Sequence, residues 1–216
     1  TIFRHVFADM DAIGSQFGLK YYLESAYPNK KIYCLGSNCP VSQRNNVTMD
    51  EVDDDVVASS LAIVLDTSNA ARIDDERYKF AKKSIRIDHH VQVETICDEE
   101  WIDDKASATC ELLALYLQEN KVNIPVESAL MLYLGLTADN IRFTTNNVRP
   151  ATFDAAKYLF EQGVDVTKVE QLNFSKSIED YRYETVVRNH TILKNKFLYS
   201  ILECEDYEEY GLNFTD

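Results

Sequence analysis

The carboxylates and imidazoles of this chain gather where its apolar runs end. His5, Asp9 and Asp11 follow the first run, Asp66 closes Leu61 to Leu65, Asp88, His89 and His90 close Ser84 to Ile87, and Asp139 closes a long apolar segment. Of only four histidines in the chain, three lie in these groups. A single aspartate after a strand ordinarily forms a turn or caps a helix. Four groups together point elsewhere, because carboxylates crowded into one crevice repel and take up protons unless a cation balances them. Imidazole and carboxylate without thiolate suit manganese, with magnesium, iron or cobalt as competitors, and argue against structural zinc. The ligands suffice for two ions sharing a carboxylate. Two ions about 4 Å apart lower the pKa of a bridging water, place it in line and hold phosphoryl oxygens. The chemistry this predicts is phosphate-ester hydrolysis.

The run Arg86-Ile87-Asp88-His89-His90-Val91 is central to that reading. Adjacent residues on an extended strand face opposite ways. If the strand persists, one histidine is a ligand and the other a substrate contact; if the chain turns there, both converge.

The elements that must deliver these groups alternate. Thr1 to Phe7, Lys31 to Leu35, Leu61 to Leu65 and Ser84 to Ile87 read as strands, and Phe197 to Leu202 as a later one. Helical spacing marks Asp11 to Tyr27, Lys105 to Glu119 with Asp103 or Asp104 as its cap, Val126 to Leu136, Pro150 to Glu161 stopped by Gly163, Val166 to Leu172, and Ile178 to Leu193. Ser37 to Ser60, with Asp53-Asp54-Asp55, reads as a solvated loop or short helix. This order predicts an α/β fold, a parallel β-sheet with helices on both faces. The ligand crevice then lies beyond the carboxyl ends of the strands.

A chain of 216 residues suffices for one sizeable core. Its formal charge of −14 argues against duplex DNA or a membrane surface as a charge-driven partner. It does not exclude a phosphate-bearing substrate, since bound cations invert the local field. Cys34, Cys39, Cys97, Cys110 and Cys204 form no CxxC pair and read as reduced thiols, so the expected location is cytoplasmic.

The motifs together resemble those of the DHH phosphoesterase family. His5-Val6-Phe7-Ala8-Asp9-Met10-Asp11-Ala12-Ile13-Gly14-Ser15 is similar to its first motif, Leu65-Asp66-Thr67-Ser68 to its second, Asp88-His89-His90 to its third and Gly135-Leu136-Thr137-Ala138-Asp139 to its fourth. The resemblance implies that His5, Asp9 and Asp66 bind one metal, that Asp11, Asp66, His89 and Asp139 bind the other, and that Asp66 bridges them. It further implies that His90 contacts the scissile phosphate or helps protonate the leaving group, and that Asp88 fixes an imidazole. Ser15 and Ser107 are candidate substrate contacts. The implied cofactor is two Mn2+ ions, with Mg2+ or Co2+ as substitutes. The flanking residues Asn69, Arg72, Trp101 to Glu111 and Arg142-Phe143 resemble the branch of nanoRNases, pAp phosphatases and cyclic-dinucleotide phosphodiesterases. The expected partner is therefore a short RNA or DNA oligonucleotide or a nucleotide, and a homodimer is compatible with the chain.

Some residues depart from that branch. Phe7-Ala8 and Met10 stand where Asn-Pro and Gly are frequent, and Asn140-Ile141 stand in place of a Thr-Gly pair. After Gly163 only Gly211 remains, too few glycines for the Gly-rich motif of a C-terminal DHHA1 domain. The expected division is a DHH catalytic domain over 1–195, with 196–216 as a linker or the start of a missing DHHA1 domain. Two other functions fit the ligands: an inorganic pyrophosphatase or polyphosphatase, and a non-catalytic nucleotide-binding module.

Overall fold

Leu61–Leu65 and Lys83–Asp88 are the inner strands of a sheet: the first turns apolar side chains into the core on both faces, and the second packs Ile85 and Ile87 on one face and buries Arg86 and Asp88 on the other. The computed structural model describes residues 1–203 and Asp206. Its sheet is parallel throughout, in the order β1 (Ile2–Phe3), β2 (Leu61–Leu65), β3 (Lys83–Asp88) and β4 (Glu99–Ile102). The register sets Ile63 beside Ile2 and Ile85, and Leu65 beside Ile87.

Alternation along β2 divides the core. Ile63 and Leu65 pack with α1 (Met10–Ala26), and the same layer holds α4 (Thr109–Glu119), α5 (Val126–Asp139) and α6 (Pro150–Glu161). Ala62 and Val64 face the other way, onto Phe3, Val57 of the short helix Asp54–Ala58, and Tyr78 of a 3-10 turn. Helical structure therefore covers both faces, as the sequence predicts.

The expected strand Lys31 to Leu35 reduces to a single bridge between Cys34 and Ile2. Ile2 donates to Tyr33 O and accepts from Leu35 N, but β1 ends at Phe3 and offers nothing further to pair with. The helix expected from Lys105 begins at Thr109 instead. Asp103 is drawn away to Arg149, at 2.7 Å, and Ala108 stands extended as the residue before the first turn. The edge strand β4 is not anticipated by the sequence, since Glu99-Glu100 open it and its residues are only half buried.

The chain forms two compact units, Thr1–Asn173 and Phe174 onward, divided ahead of the expected boundary at 195. In the second unit, Ile178–Asn189 is a helix capped by Ser177 and Asp180. The expected helical continuation to Leu193 is instead the strand Thr191–Lys194, paired antiparallel with Phe197–Ser200. Asn195, left-handed at φ 58°, supplies the two-residue turn that makes this a hairpin. Glu203 apart, the acidic stretch up to Tyr210 lies almost wholly outside the described residues. No helix among the described residues is long and apolar enough to cross a membrane.

Candidate metal centre

Parallel strands put equivalent ends on one edge, and this edge is where the titratable groups converge. His5 follows β1, Asp66 is the first residue after β2, and His89 and His90 follow β3. Asp9 caps α1 through its Oδ1, which accepts from Ala12 N at 3.0 Å, and Asp11 lies in the first turn of the same helix. Asp139 is the last residue of α5.

Asp66 is the hub. Its Oδ2 stands 3.4 Å from His5 Nε2, and its Oδ1 stands 3.4 Å from His89 Nε2. A left-handed backbone, φ 53°, turns it out of the strand direction. His5 Nε2 also faces Asp9 Oδ2 at 3.8 Å, and His89 Nε2 faces Asp11 Oδ2 at 3.8 Å and Asp139 Oδ2 at 3.4 Å. The ligand atoms of His5, Asp9 and Asp66 lie within 4.8 Å of one another, as do those of Asp11, His89 and Asp139. The structure thus brings together all six residues named as ligands.

Two features of the donors fit a cation. First, these separations exceed ordinary hydrogen bonds. They lie near the spacing of two ligands of one ion, which with bonds of about 2.1 Å stand about 3.0 Å apart at a right angle and about 3.4 Å apart at the tetrahedral angle. Second, each imidazole is oriented through its other nitrogen by a backbone carbonyl, His5 Nδ1 by Val6 O at 2.6 Å and His89 Nδ1 by Ala106 O at 3.3 Å. Such a bond fixes the ring and leaves Nε2 to ligate. The nearby thiol of Cys110 is turned to Asp11 O, at 3.7 Å, so the set is nitrogen and oxygen only.

In the metal-free protein the same crowding shifts His5, Asp11, Asp66, His89 and Asp139. Burial disfavours the charged imidazoles, yet the Asp66 carboxylate, 3.4 Å from each ring, and the neighbouring carboxylates overcome it and raise His5 and His89 to about 10. Burial also works against the Asp66 carboxylate, but the two imidazoles hold it well below the usual range. Asp11 is pushed far up by burial and by the charges of Asp66 and Asp139. Asp139 rises to about 6, chiefly through burial.

His89 and His90 converge, because the strand ends at Asp88 and the chain turns. Their rings pack at 4.4 Å between centroids. Asp88 Oδ1 holds His90 Nδ1 at 2.8 Å and also accepts from His90 N at 3.2 Å; the ring is partly exposed, and its Nδ1 stands 3.6 Å from Asp66 Oδ1. Ser15 and Ser107 are placed otherwise than the sequence suggests. Both are fully buried: Ser15 Oγ donates to Ala12 O within its own helix, and Ser107 Oγ donates to Glu111 Oε2 at 2.7 Å.

Three supports escape the motif reading. The backbone amides of Thr109 and Cys110, at the start of α4, donate to Asp11 Oδ2 at 2.7 Å and Oδ1 at 3.0 Å. Buried Glu111 accepts from Ser107, Arg149 Nε and Thr152 Oγ1, and so anchors the start of that helix. Arg86, fully buried beneath the edge, pairs with Glu100 and donates to Thr67 O, Ser68 O and Glu94 O. A charged residue inside an otherwise apolar run, Glu111 or Arg86, was the one available sign.

Fold and site together define an α/β protein with carboxylate–imidazole clusters, suited to divalent cations, at the carboxyl edge of a parallel sheet. The model of the DHH family N-terminal domain matches residues 1–136, and the chain belongs to that family. It is similar to the uncharacterized protein MG371 of Mycoplasma genitalium, 34% identical over 216 residues, covering 98% of this chain and 67% of that one. It is also similar to the bifunctional oligoribonuclease and PAP phosphatase NrnA of Bacillus subtilis, 37% identical over 161 residues, covering 73% of this chain and 51% of that one. The chain spans about half to two thirds of the length of the oligoribonuclease relatives it matches. Among solved structures, an exopolyphosphatase-related protein from Bacteroides fragilis shares the fold with a TM-score of 0.86 at 22% identity, over 99% of this chain and 68% of that one.

Proposed function

We propose that this chain carries the chemistry of a manganese-dependent phosphoesterase that hydrolyses short oligonucleotides or nucleotide phosphates. The observation that carries the reading is Asp66, whose two oxygens address two imidazoles from opposite clusters at the same 3.4 Å. A carboxylate so placed would be shared between two ions. His5, Asp9 and Asp66 would hold one ion, and Asp11, Asp66, His89 and Asp139 the other. When bound, such ions supply Lewis-acid polarisation of a phosphoryl group and of the attacking water.

The protein's own share is positioning and proton management. The amides of Thr109 and Cys110 hold Asp11 in place, and the carbonyls of Val6 and Ala106 hold the two ligand imidazoles. His90, oriented by Asp88, presents Nε2 to a phosphoryl oxygen or to the leaving oxygen as its proton donor. Support for a nucleotide substrate comes from the similarity to oligoribonuclease and PAP phosphatase relatives.

The test is hydrolysis with Mn2+ of pAp, a diribonucleotide, a cyclic dinucleotide and pyrophosphate, with Asp66→Ala run in parallel. Turnover of a nucleotide that vanishes in Asp66→Ala is the expected result. Turnover of pyrophosphate alone would overturn the choice of substrate, and manganese binding without any turnover would leave a binding module in its place.

A further inference from the structure

Phe7 stands between two members of the metal centre, His5 and Asp9, yet its ring is 96% exposed. Its backbone is left-handed, φ 52°. For a bulky side chain that conformation is an outlier, held only where the surrounding chain imposes it, and such strain collects at functional positions. The ring belongs to neither apolar core cluster, so the strain does not serve burial. It borders a cavity of about 600 Å³ lined by Val6, Phe7, Ala8, Cys39, Pro40 and Val41, with Arg4, Ser37, Asn38 and Asp74 as its polar part. That volume falls in the range of small-ligand sites. A flat aromatic face and a largely apolar recess, flanked in sequence by the proposed ligands His5 and Asp9, fit a ligand with a planar π system attached to a metal-bound phosphate.

We infer that Phe7 is a stacking platform for the nucleobase of a nucleotide whose phosphate lies at the metal centre, with the adjoining apolar cavity receiving the base. This rests on the phosphoesterase reading above and specifies how its substrate is gripped. Every base has a π face, so the platform accepts any of the four. A phosphate compound without a base gains nothing from it. Phe7 is thereby a specificity residue that separates nucleotides from inorganic and sugar phosphates.

The test is binding to the manganese-loaded chain, read by the fluorescence of 2-aminopurine ribonucleoside 5′-monophosphate, with ribose 5-phosphate as the baseless probe in competition. Stacking quenches 2-aminopurine, so quenching on binding is expected. Phe7→Ala is expected to weaken the nucleotide about ten- to a hundredfold, the loss of one base–aromatic stack, and to abolish the quench. Ribose 5-phosphate should bind Phe7→Ala as it binds the wild type. Phe7→Leu, which keeps apolar bulk without a ring, should behave like the alanine variant, and Phe7→Trp should restore both affinity and quench. Manganese stoichiometry verifies that each variant keeps its centre. Unchanged nucleotide affinity in Phe7→Ala, with both probes bound, would overturn this inference and leave the phosphoesterase reading standing. Failure of the nucleotide probe to bind the loaded wild type would overturn both.

Discussion

Gly14 of α1 and Gly135 of α5 meet backbone against backbone: a Cβ on Gly14 would stand 3.1 Å from Gly135 Cα and 2.5 Å from Met131 O. A Cβ on Gly135 would stand 2.4 Å from Cys110 Sγ and 3.1 Å from Asp11 Oδ1. This contact draws the two helices close enough for Asp11 and Asp139 to address one imidazole, that of His89.

Gly14→Ala is therefore expected to destabilise the fold by about 1–3 kcal/mol, since backbone atoms rather than a flexible side chain must yield. Urea unfolding measures the loss. Gly135→Ala should in addition weaken manganese binding, because the new methyl group presses on Asp11; equilibrium dialysis of the folded variant separates that effect from stability.

Asp66→Ala should remove both ions rather than one. Metal analysis after dialysis against micromolar Mn2+ is expected to give a stoichiometry near zero, whereas Asp9→Ala, which touches only the His5 cluster, should retain the other site. In the metal-free Asp66→Ala protein, His5 and His89 lose their main charged partner and should titrate at lower pH than in the wild type by NMR.

The pH dependence of the metal-free fold follows from these shifts. His5 and His89 are raised, so their contribution is complete below about 6.5 and is lost as pH climbs through about 10. Asp139, raised to about 6, adds a loss in the same direction at lower pH. Asp66 is depressed, so its contribution is present above about 3.9 and is lost as the pH falls further. Unfolding in the presence of a chelator should thus show stability declining from mildly acid to alkaline pH. Manganese uptake at pH 8 should release protons, because both ligand imidazoles are charged beforehand. Calorimetry in two buffers of different ionisation enthalpy counts them, and affinity should rise with pH.

His90→Gln is expected to keep both ions while turnover falls by about 10²- to 10⁴-fold, the usual worth of a positioned proton donor. Metal analysis and rate assay on one preparation check the separation. Asp88→Asn should fall in the same sense and by less, since it removes only the carboxylate that orients the ring.

Arg86→Met leaves Glu100 without its buried partner and frees the carbonyls of Thr67, Ser68 and Glu94. Breaking such a pair costs about 3–5 kcal/mol. Thermal unfolding should show it, and Arg86→Lys should recover only part, because one ammonium cannot reach all the acceptors that the guanidinium spans.

The two inner strands, the helices over 10–26, 126–139 and 150–161, and the convergence of His5, Asp9, Asp11, Asp66, His89 and Asp139 were legible because each rests on a local pattern: an apolar run and the polar residue that ends it. What the sequence hid depends on partners far along the chain. Lys31 to Leu35 has strand chemistry but finds only Ile2 to pair with. Glu99–Ile102 lacks strand chemistry and is a strand because β3 offers it an edge. Ser107 reads as a substrate contact until its buried hydroxyl is seen donating to Glu111, which Arg149 and Thr152 also bind. Of the hairpin after Asn189, the sequence reads Phe197 to Leu202 as a strand but Thr191 to Leu193 as the end of a helix; the left-handed Asn195 supplies the turn that pairs the two strands.

The left-handed backbone of Asp66 also constrains how this lineage can drift. Few residues occupy that conformation without strain; glycine and asparagine are foremost. Both are one nucleotide away from either aspartate codon. A descendant that abandons the chemistry while keeping its architecture is therefore expected to show Asn or Gly here first, and genomes carrying that change at this position would mark where catalysis was surrendered to binding.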